Sequence, residues 1–353
     1  MGTMEESLLE VRAVRESMGL VDRSDVGKLA ISGPDRFTWL QGMISNDVKR
    51  LDQPRVYDFF RACVLDATGH LLSDLSIVPV RGKKAVLLTK PLGLPQDDFL
   101  LVDLPRENVD KIATLFDRFL ITEDVEILDV TDHLGCFSFQ GRRAAEIVNQ
   151  AQGAPDHPLG EGQERVYTMP ADYCGEGGFN AYFPMAEYDM LLERIRQRGV
   201  VEVGPEAQEI LRVEAGIPKF GVDMDESVIA LEANLGLTHI SFTKGCYVGQ
   251  EIIARIQSRG HTNRALTGLV LIEGLLPAFG DKIYPLPTSE MPEVRETGRI
   301  TSVIPVSPAL GGRAIALGYV RHEHRTPGSR LRIGEAGTLM ETVEMPFYRK
   351  PAG

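Results

Sequence analysis

The sequence predicts an α+β protein that ends in a small all-β unit. Three observations carry this. Arg61 to Leu65 and Leu71 to Val80 read as strands joined through Thr68-Gly69. Amphipathic helices fall between such hairpins and do not alternate strictly with strands, which argues against a doubly wound sheet. From Leu266 onward the chain is a series of short β-rich runs cut by Gly and Pro.

Each element has a local reason. Leu8, Val11, Val14 and Met18 recur at helical spacing over Ser7 to Met18, and Gly19 stops the helix. Lys28 to Ser32 is a strand, Gly33-Pro34 a turn, and Asp35 the expected cap of a helix carrying Phe37, Trp39 and Leu40. The hairpin follows, then a strand over Ala85 to Thr89 and a helix over Val109 to Phe116. A second unit starts near Glu126, with strands Glu126 to Val130 and Cys136 to Gln140 and a helix opened by Gly141. Gly153 to Gln163 is a Gly- and Pro-rich loop. Strands Tyr167 to Met169 and Asn180 to Pro184 flank the turn Gly175-Glu176-Gly177-Gly178, and helices Glu187 to Gly199 and Glu206 to Ala215 follow. The tail places strands at Leu266 to Ile272, Glu296 to Ile304, Ala314 to Val320 and Arg330 to Ile333, a barrel or sandwich of about 85 residues.

The chain has 353 residues, enough for two or three domains. Residues 1–125, 126–262 and 263–353 are the units that the composition and punctuation suggest. The first 262 residues carry a net −14, whereas residues 263–353, with 11 basic and 9 acidic side chains, carry +2. With 43% hydrophobic and 25% charged residues, the chain is an ordinary globular one. A net charge of −12 disfavours direct binding to nucleic acid, which takes many cations against phosphates. No apolar run reaches the ~20 residues of a membrane helix. Glu5, Glu6 and Glu10 exclude a signal peptide, so a cytoplasmic protein is expected. Cys63, Cys136, Cys174 and Cys246 are scattered, which suggests neither a zinc knuckle nor a disulfide scaffold. His322 and His324 flank Glu323 but lack further ligands at metal spacing, and no phosphate-loop fingerprint is present.

The sharpest segment is Lys244-Gly245-Cys246-Tyr247-Val248-Gly249-Gln250-Glu251, ahead of a helix from Gln250 to Ser258 closed by Gly260. Cys246 thus precedes a helix N-terminus and stands two residues from Lys244, both of which favour a thiolate. Read locally, Cys246 is either such a thiol or an ordinary buried one.

This segment resembles the signature of the YgfZ family of folate-binding proteins that assist iron–sulfur cluster assembly. That family is a branch of the fold of the glycine cleavage T-protein, an aminomethyltransferase. Leu231-Glu232-Ala233-Asn234-Leu235 and Ile240-Ser241-Phe242 fit the same context. Across the wider superfamily the resemblance extends to Asp22-Arg23-Ser24, Gly33-Pro34-Asp35, Leu40-Gln41-Gly42, Ser45-Asn46-Asp47-Val48 and Leu211-Arg212-Val213-Glu214-Ala215-Gly216.

The resemblance implies a three-lobed ring with tetrahydrofolate in a central channel. Asp172-Tyr173-Cys174-Gly175-Glu176-Gly177-Gly178-Phe179-Asn180 resembles the family's pterin-binding turn, with Cys174 for the usual Thr and Asn180 for the closing carboxylate. Ser73-Asp74 stands where aminomethyltransferases carry paired aspartates. By resemblance, Cys246, Lys244 and Asp74 are the catalytic candidates. Asn180, Glu176, Tyr173, Arg212, Glu214, Gln250, Glu251 and Arg255 are the candidates for holding folate. For Arg212 and Glu214 a structural ion pair is an equal reading, and turn chemistry is one for Glu176 and Asn180. The function implied is a folate-binding accessory factor for iron–sulfur enzymes that acts on client proteins as a monomer. Alternatives are an aminomethyltransferase, or a folate-binding factor serving tRNA-modifying enzymes.

Overall fold

The computed structural model describes residues 3–51, 59–82, 88, 98–147, 158–159, 166–287 and 294–350. In chain order the strands and helices are α1 (Met4–Glu16), β1 (Gly19–Asp22), β2 (Gly27–Ser32), α2 (Arg36–Met43), β3 (Arg61–Leu65), β4 (Leu71–Val80), β5 (Phe99–Leu104), α3 (Val109–Arg118), β6 (Glu126–Asp129) and β7 (Leu134–Gln140). They continue with α4 (Arg142–Ile147), β8 (Tyr167–Pro170), β9 (Gly178–Pro184), α5 (Tyr188–Gln197), β10 (Val201–Glu202), α6 (Pro205–Glu214), α7 (Gly236–His239) and α8 (Gln250–Arg259). The tail holds β11 (Arg264–Glu273), β12 (Lys282–Pro285), β13 (Gly298–Ser307), β14 (Arg313–Arg321), β15 (Arg330–Ile333) and β16 (Thr338–Val343). The expected strand Ala85 to Thr89, Leu88 apart, and most of the loop Gly153 to Gln163 lie outside the described residues.

The fold is α+β with a closed six-stranded barrel, β11-β14-β13-β12-β15-β16. Closure leaves no sheet edge exposed. Ahead of the barrel stand two five-stranded sheets, ordered β3-β4-β5-β2-β6 and β10-β1-β7-β9-β8. They do not follow the cut at 125/126: β6 pairs with β2, and β1 pairs with β7 and β10. The early strand β1 is therefore lent to the later sheet, where Gly19 lies so close to Val203 that a Cβ would meet its Cγ2 at 2.4 Å. Asp35 does not cap α2 with its side chain; its Oδ2 accepts from the Asp124 amide at 2.9 Å and ties the turn to β6.

Strand periodicity explains the layering. β7 and β9 are buried on both faces. Phe137, Phe139, Phe179 and Phe183 point one way, into a core with Ala144 and Ile147 of α4 and Leu191 and Ile195 of α5. Cys136 and Tyr182 point the other way and pack with Ala30, Val78, Val80, Phe99 and Leu101 of the first sheet. The outer face of that sheet is covered by Trp39 and Leu40 of α2 and Ile112 and Phe116 of α3. The result is helices, sheet, sheet, helices, with an apolar layer between the sheets.

Candidate functional site

The inter-sheet layer turns polar at one end. Along β4 the inward row reads Val80, Val78, Ser76, Asp74; along β5 it reads Phe99, Leu101, Asp103; along β9 it reads Tyr182, Asn180. Register aligns like with like: Val78 faces Leu101, Ser76 faces Asp103, Lys28 faces Asp103, and Ser138 faces Asn180. Polar residues thus gather where the sheets meet the loops of Arg23 and Asp172-Tyr173.

The cluster is hydrogen-bonded in a chain. Asn180, fully buried, donates through Nδ2 to the hydroxyls of Tyr173 at 3.1 Å and Tyr182 at 2.9 Å. Tyr182 donates to Asp103 Oδ2 at 2.7 Å. The Arg23 guanidinium lies 3.9 Å over the Tyr173 ring. The Arg61 guanidinium lies 4.3 Å over the Phe59 ring, which meets Tyr173 edge-on at 5.0 Å, and Arg61 also donates to the Asp172 carbonyl. Buried Lys28 directs its ammonium to the carbonyls of Ser24 and Val26 at 3.0 and 2.7 Å.

Four buried atoms of this cluster lack a hydrogen-bond partner among the described residues: Asp74 Oδ1, Asp103 Oδ1, Asn180 Oδ1 and Arg23 Nε. A protein interior rarely leaves such groups orphaned, so their concentration here marks a place built for a polar partner. Burial pushes both carboxyls up from the usual range, at Asp74 against the charges of Arg61 and Arg23, at Asp103 against Lys28 and the Tyr182 hydroxyl. The sequence-predicted residues Asp74, Tyr173 and Asn180 are brought together. Arg23, Arg61, Asp103 and Tyr182 complete the cluster. One signal for Asp103 was present in the sequence: a lone acid in the apolar run Phe99-Leu100-Leu101-Val102-Asp103-Leu104.

The Lys244–Glu251 segment lies outside this cluster. Lys244 is buried and donates to the carbonyls of Gln41, Ile44 and Asn46 at 2.7, 2.7 and 2.8 Å. All three ammonium donors therefore satisfy main-chain oxygens at and beyond the end of α2. Lys244 clamps the backbone and does not serve the thiol, which corrects the catalytic role expected for it; burial pushes its pKa down to about 8. Gly249, at φ +83°, is the cap of α8, and a Cβ there would meet the Asp66 carbonyl of the β3–β4 turn at 2.5 Å. Buried Tyr247 packs in the core with Cys63 and Ile253. Cys246 between them is exposed, which settles against the buried-thiol reading. No hydrogen bond joins it to the polar cluster among the described residues.

Other expected folate ligands are placed elsewhere. All five N–H donors of Arg212 are taken: Glu209 receives two, and Asp223, the Ile217 carbonyl and Ser302 Oγ one each. Glu214 is fully buried and accepts from Arg15, Ser307 Oγ and the Ala309 amide. Both residues tie α6 to the barrel and leave no group for a ligand. Glu176 is buried beside the C-terminal tail, where its carbonyl accepts from Lys350 at 3.1 Å and the Tyr348 hydroxyl bonds its side chain. Arg255 and Glu251 form an exposed i,i+4 pair at 2.8 Å on α8, and Gln250 is half-buried in its first turn. His322 accepts from Arg325 and stacks on His261 at 4.1 Å.

The comparisons agree with this architecture. A family model described as the GCVT N-terminal domain matches residues 3–244. The aminomethyltransferase of Moorella thermoacetica is 29% identical over 356 residues, covering 97% of this chain and 89% of the relative. That of Symbiobacterium thermophilum is 28% identical over 360 residues, covering 97% and 89%. The solved glycine cleavage system aminomethyltransferase T from Bartonella henselae shares the fold at a TM-score of 0.77 and 20% identity, covering 98% of this chain and 90% of that one. With more than half its length matched by that domain model, the chain belongs to the glycine cleavage T-protein superfamily.

Proposed function

We propose that the protein binds a reduced folate, tetrahydrofolate, at the polar end of the inter-sheet layer, and serves as an accessory factor for iron–sulfur cluster assembly or repair with Cys246 as its reactive thiol. The observation that carries the folate reading is the set of orphaned buried atoms. Three acceptors and one donor await partners between Asp74, Asp103, Asn180 and Arg23. A pterin edge offers adjacent N–H donors beside a carbonyl acceptor, the complement of such a set. The residues present therefore fit the group.

Bound tetrahydrofolate supplies a carrier for a one-carbon unit. The chain's own residues provide the setting. Tyr173 and Arg23 form an aromatic and cationic wall. The Asn180–Tyr182–Asp103 chain fixes the acceptors. Burial pushes the Asp74 carboxyl up from the usual range, which favours its protonated form relative to an exposed aspartate. Cys246 is exposed on a loop made rigid by Lys244 and Gly249, as a thiol that meets client proteins must be.

A second reading, a folate-dependent aminomethyltransferase, is favoured by the names of relatives that span nearly the whole chain and by Asp74. Titration calorimetry with tetrahydrofolate should show saturable binding, weakened by Asp74→Asn. Cys246→Ser should bind folate normally yet fail to restore iron–sulfur enzymes in a deletion strain. No binding at millimolar folate would overturn the folate site. Full complementation by Cys246→Ser together with aminomethyl transfer from a lipoyl-bound donor would establish the second reading.

A further inference from the structure

Asp103 is the buried acid of the cluster that no sequence motif marked. It is 3% exposed, its Oδ2 is held by Tyr182 at 2.7 Å, and its Oδ1 is unpartnered. Two bonds away in the same chain stands Asn180, whose amide donors are spent on Tyr173 and Tyr182 and whose Oδ1 is likewise free. Asn180 occupies the position of the acid expected to grip the ligand, but it is neutral. A neutral acceptor holds an N–H donor about half as strongly as an ionised one. The carboxyl missing from β9 is present one strand-layer away, on β5, connected through the Tyr182 hydroxyl. Arg23 Nε, the orphaned donor, completes an acceptor–acceptor–donor set.

We propose that Asp103 is the specificity-determining carboxylate of this site: with Asn180 it accepts the two adjacent N–H donors of a 2-amino-4-oxopyrimidine ring, while Arg23 donates to the ring carbonyl. The ligand class is thus a pterin that carries both the 2-amino group and the 4-oxo group. Burial pushes the Asp103 carboxyl up from its usual range, and the nearby Lys28 and Arg23 charges offset part of that push. Lys28 cannot itself displace the ligand, since its ammonium is bonded to main-chain carbonyls. The inference rests on the folate reading above but names a residue and a recognition rule that the reading does not contain.

The test uses the full chain, tetrahydrofolate, and an analogue lacking the 2-amino group. Wild type should bind the analogue roughly tenfold more weakly, the loss of one charge-assisted hydrogen bond. Asp103→Asn should weaken tetrahydrofolate by roughly 10- to 100-fold and shrink the gap between the two ligands to less than about threefold. Asn180→Ala should cost less than Asp103→Asn. Tyr182→Phe, which leaves the carboxylate in place, should retain the discrimination. Equal binding of both ligands by wild type would overturn the inference without any mutant, so a misfolded Asp103→Asn does not shelter it. A folded Asp103→Asn with an unchanged gap would overturn it too, while leaving the folate reading intact. Failure of wild type to bind either ligand at millimolar concentration would overturn that reading, and the inference with it.

Discussion

Of the four cysteines, three are buried and one is exposed. Burial pushes the Cys63 and Cys136 thiols well above their ordinary range and the Cys174 thiol up to about 12. Cys174 stands in a turn, yet its side chain is 3% exposed and lies against Gln140 Oε1 at 3.5 Å. Cys246 is exposed. We expect native-state alkylation, mapped by mass spectrometry, to modify Cys246 alone before unfolding, with Cys246→Ser changing the Tm by no more than about 1 °C, since an exposed side chain carries little packing. His239 gives a pH signature of its own. Burial, aided by the Arg61 charge, pushes its pKa down to about 3 from an ordinary 6.5. The folded value lies below the unfolded one, so between these values the unfolded chain takes up a proton that the folded chain refuses, and stability falls as pH drops through that window. From pH 7 to 5 the loss is about 2 kcal/mol. Denaturant midpoints at the two pH values should show it, and His239→Gln should remove that share of the loss.

At the scale of elements, the Lys244–Glu251 segment is a latch between loops, and its two glycines do different jobs. Gly249 takes φ +83° and touches the Asp66 carbonyl, whereas a Cβ on Gly245 would meet nothing within 4 Å. Gly249→Ala should therefore cost roughly 1–2 kcal/mol for the left-handed backbone alone, with the clash in addition. Gly245→Ala should be near neutral. Chemical denaturation of the two variants tests this, and equal effects would contradict the latch. Most elements were legible because their side chains repeat: the hairpin Arg61–Leu65 and Leu71–Val80 and the helix closed by Gly260 stand where periodicity and Gly placed them. β1, β5 and β16 were not legible. β1 is four residues long, and β5 is an apolar run with no alternation, which local pattern cannot assign. The site was half legible for a related reason. Tyr173, Asn180 and Asp74 stood in motifs, but Lys244 was given a neighbour by sequence distance when its ammonium had crossed to α2. Asp103 and Tyr182 meet only through the packing of two sheets, a contact that no single segment carries.

The whole molecule is held together by buried charge where the T-protein-like body meets the barrel. Arg212 on α6 reaches Asp223 at 2.7 Å and Ser302 of β13 at 2.7 Å; Asp223 in turn accepts from Ser302 at 2.7 Å and Thr301 at 2.6 Å. Glu214, two residues on, receives Ser307 and the Ala309 amide from the same strand's end and Arg15 from α1. The Tyr348 amide of the tail donates to the Glu214 carbonyl at 2.9 Å, so three distant parts of the chain close on one helix. Such a pair adds little over an apolar contact while intact, but removing one partner leaves the other charge buried, at a cost of about 3–5 kcal/mol. Arg212→Met should thus destabilise the protein by that order and expose the barrel junction to limited proteolysis. A residue that binds the ligand would behave differently. If the guanidinium held the folate glutamyl tail, its loss would weaken binding by 1–2 orders of magnitude in the folded protein. Because all five donors are already used, we expect the tetrahydrofolate Kd of folded Arg212→Met to stay within about threefold of wild type. A large loss of affinity with an unchanged denaturation midpoint would reverse the assignment and return Arg212 to the ligand.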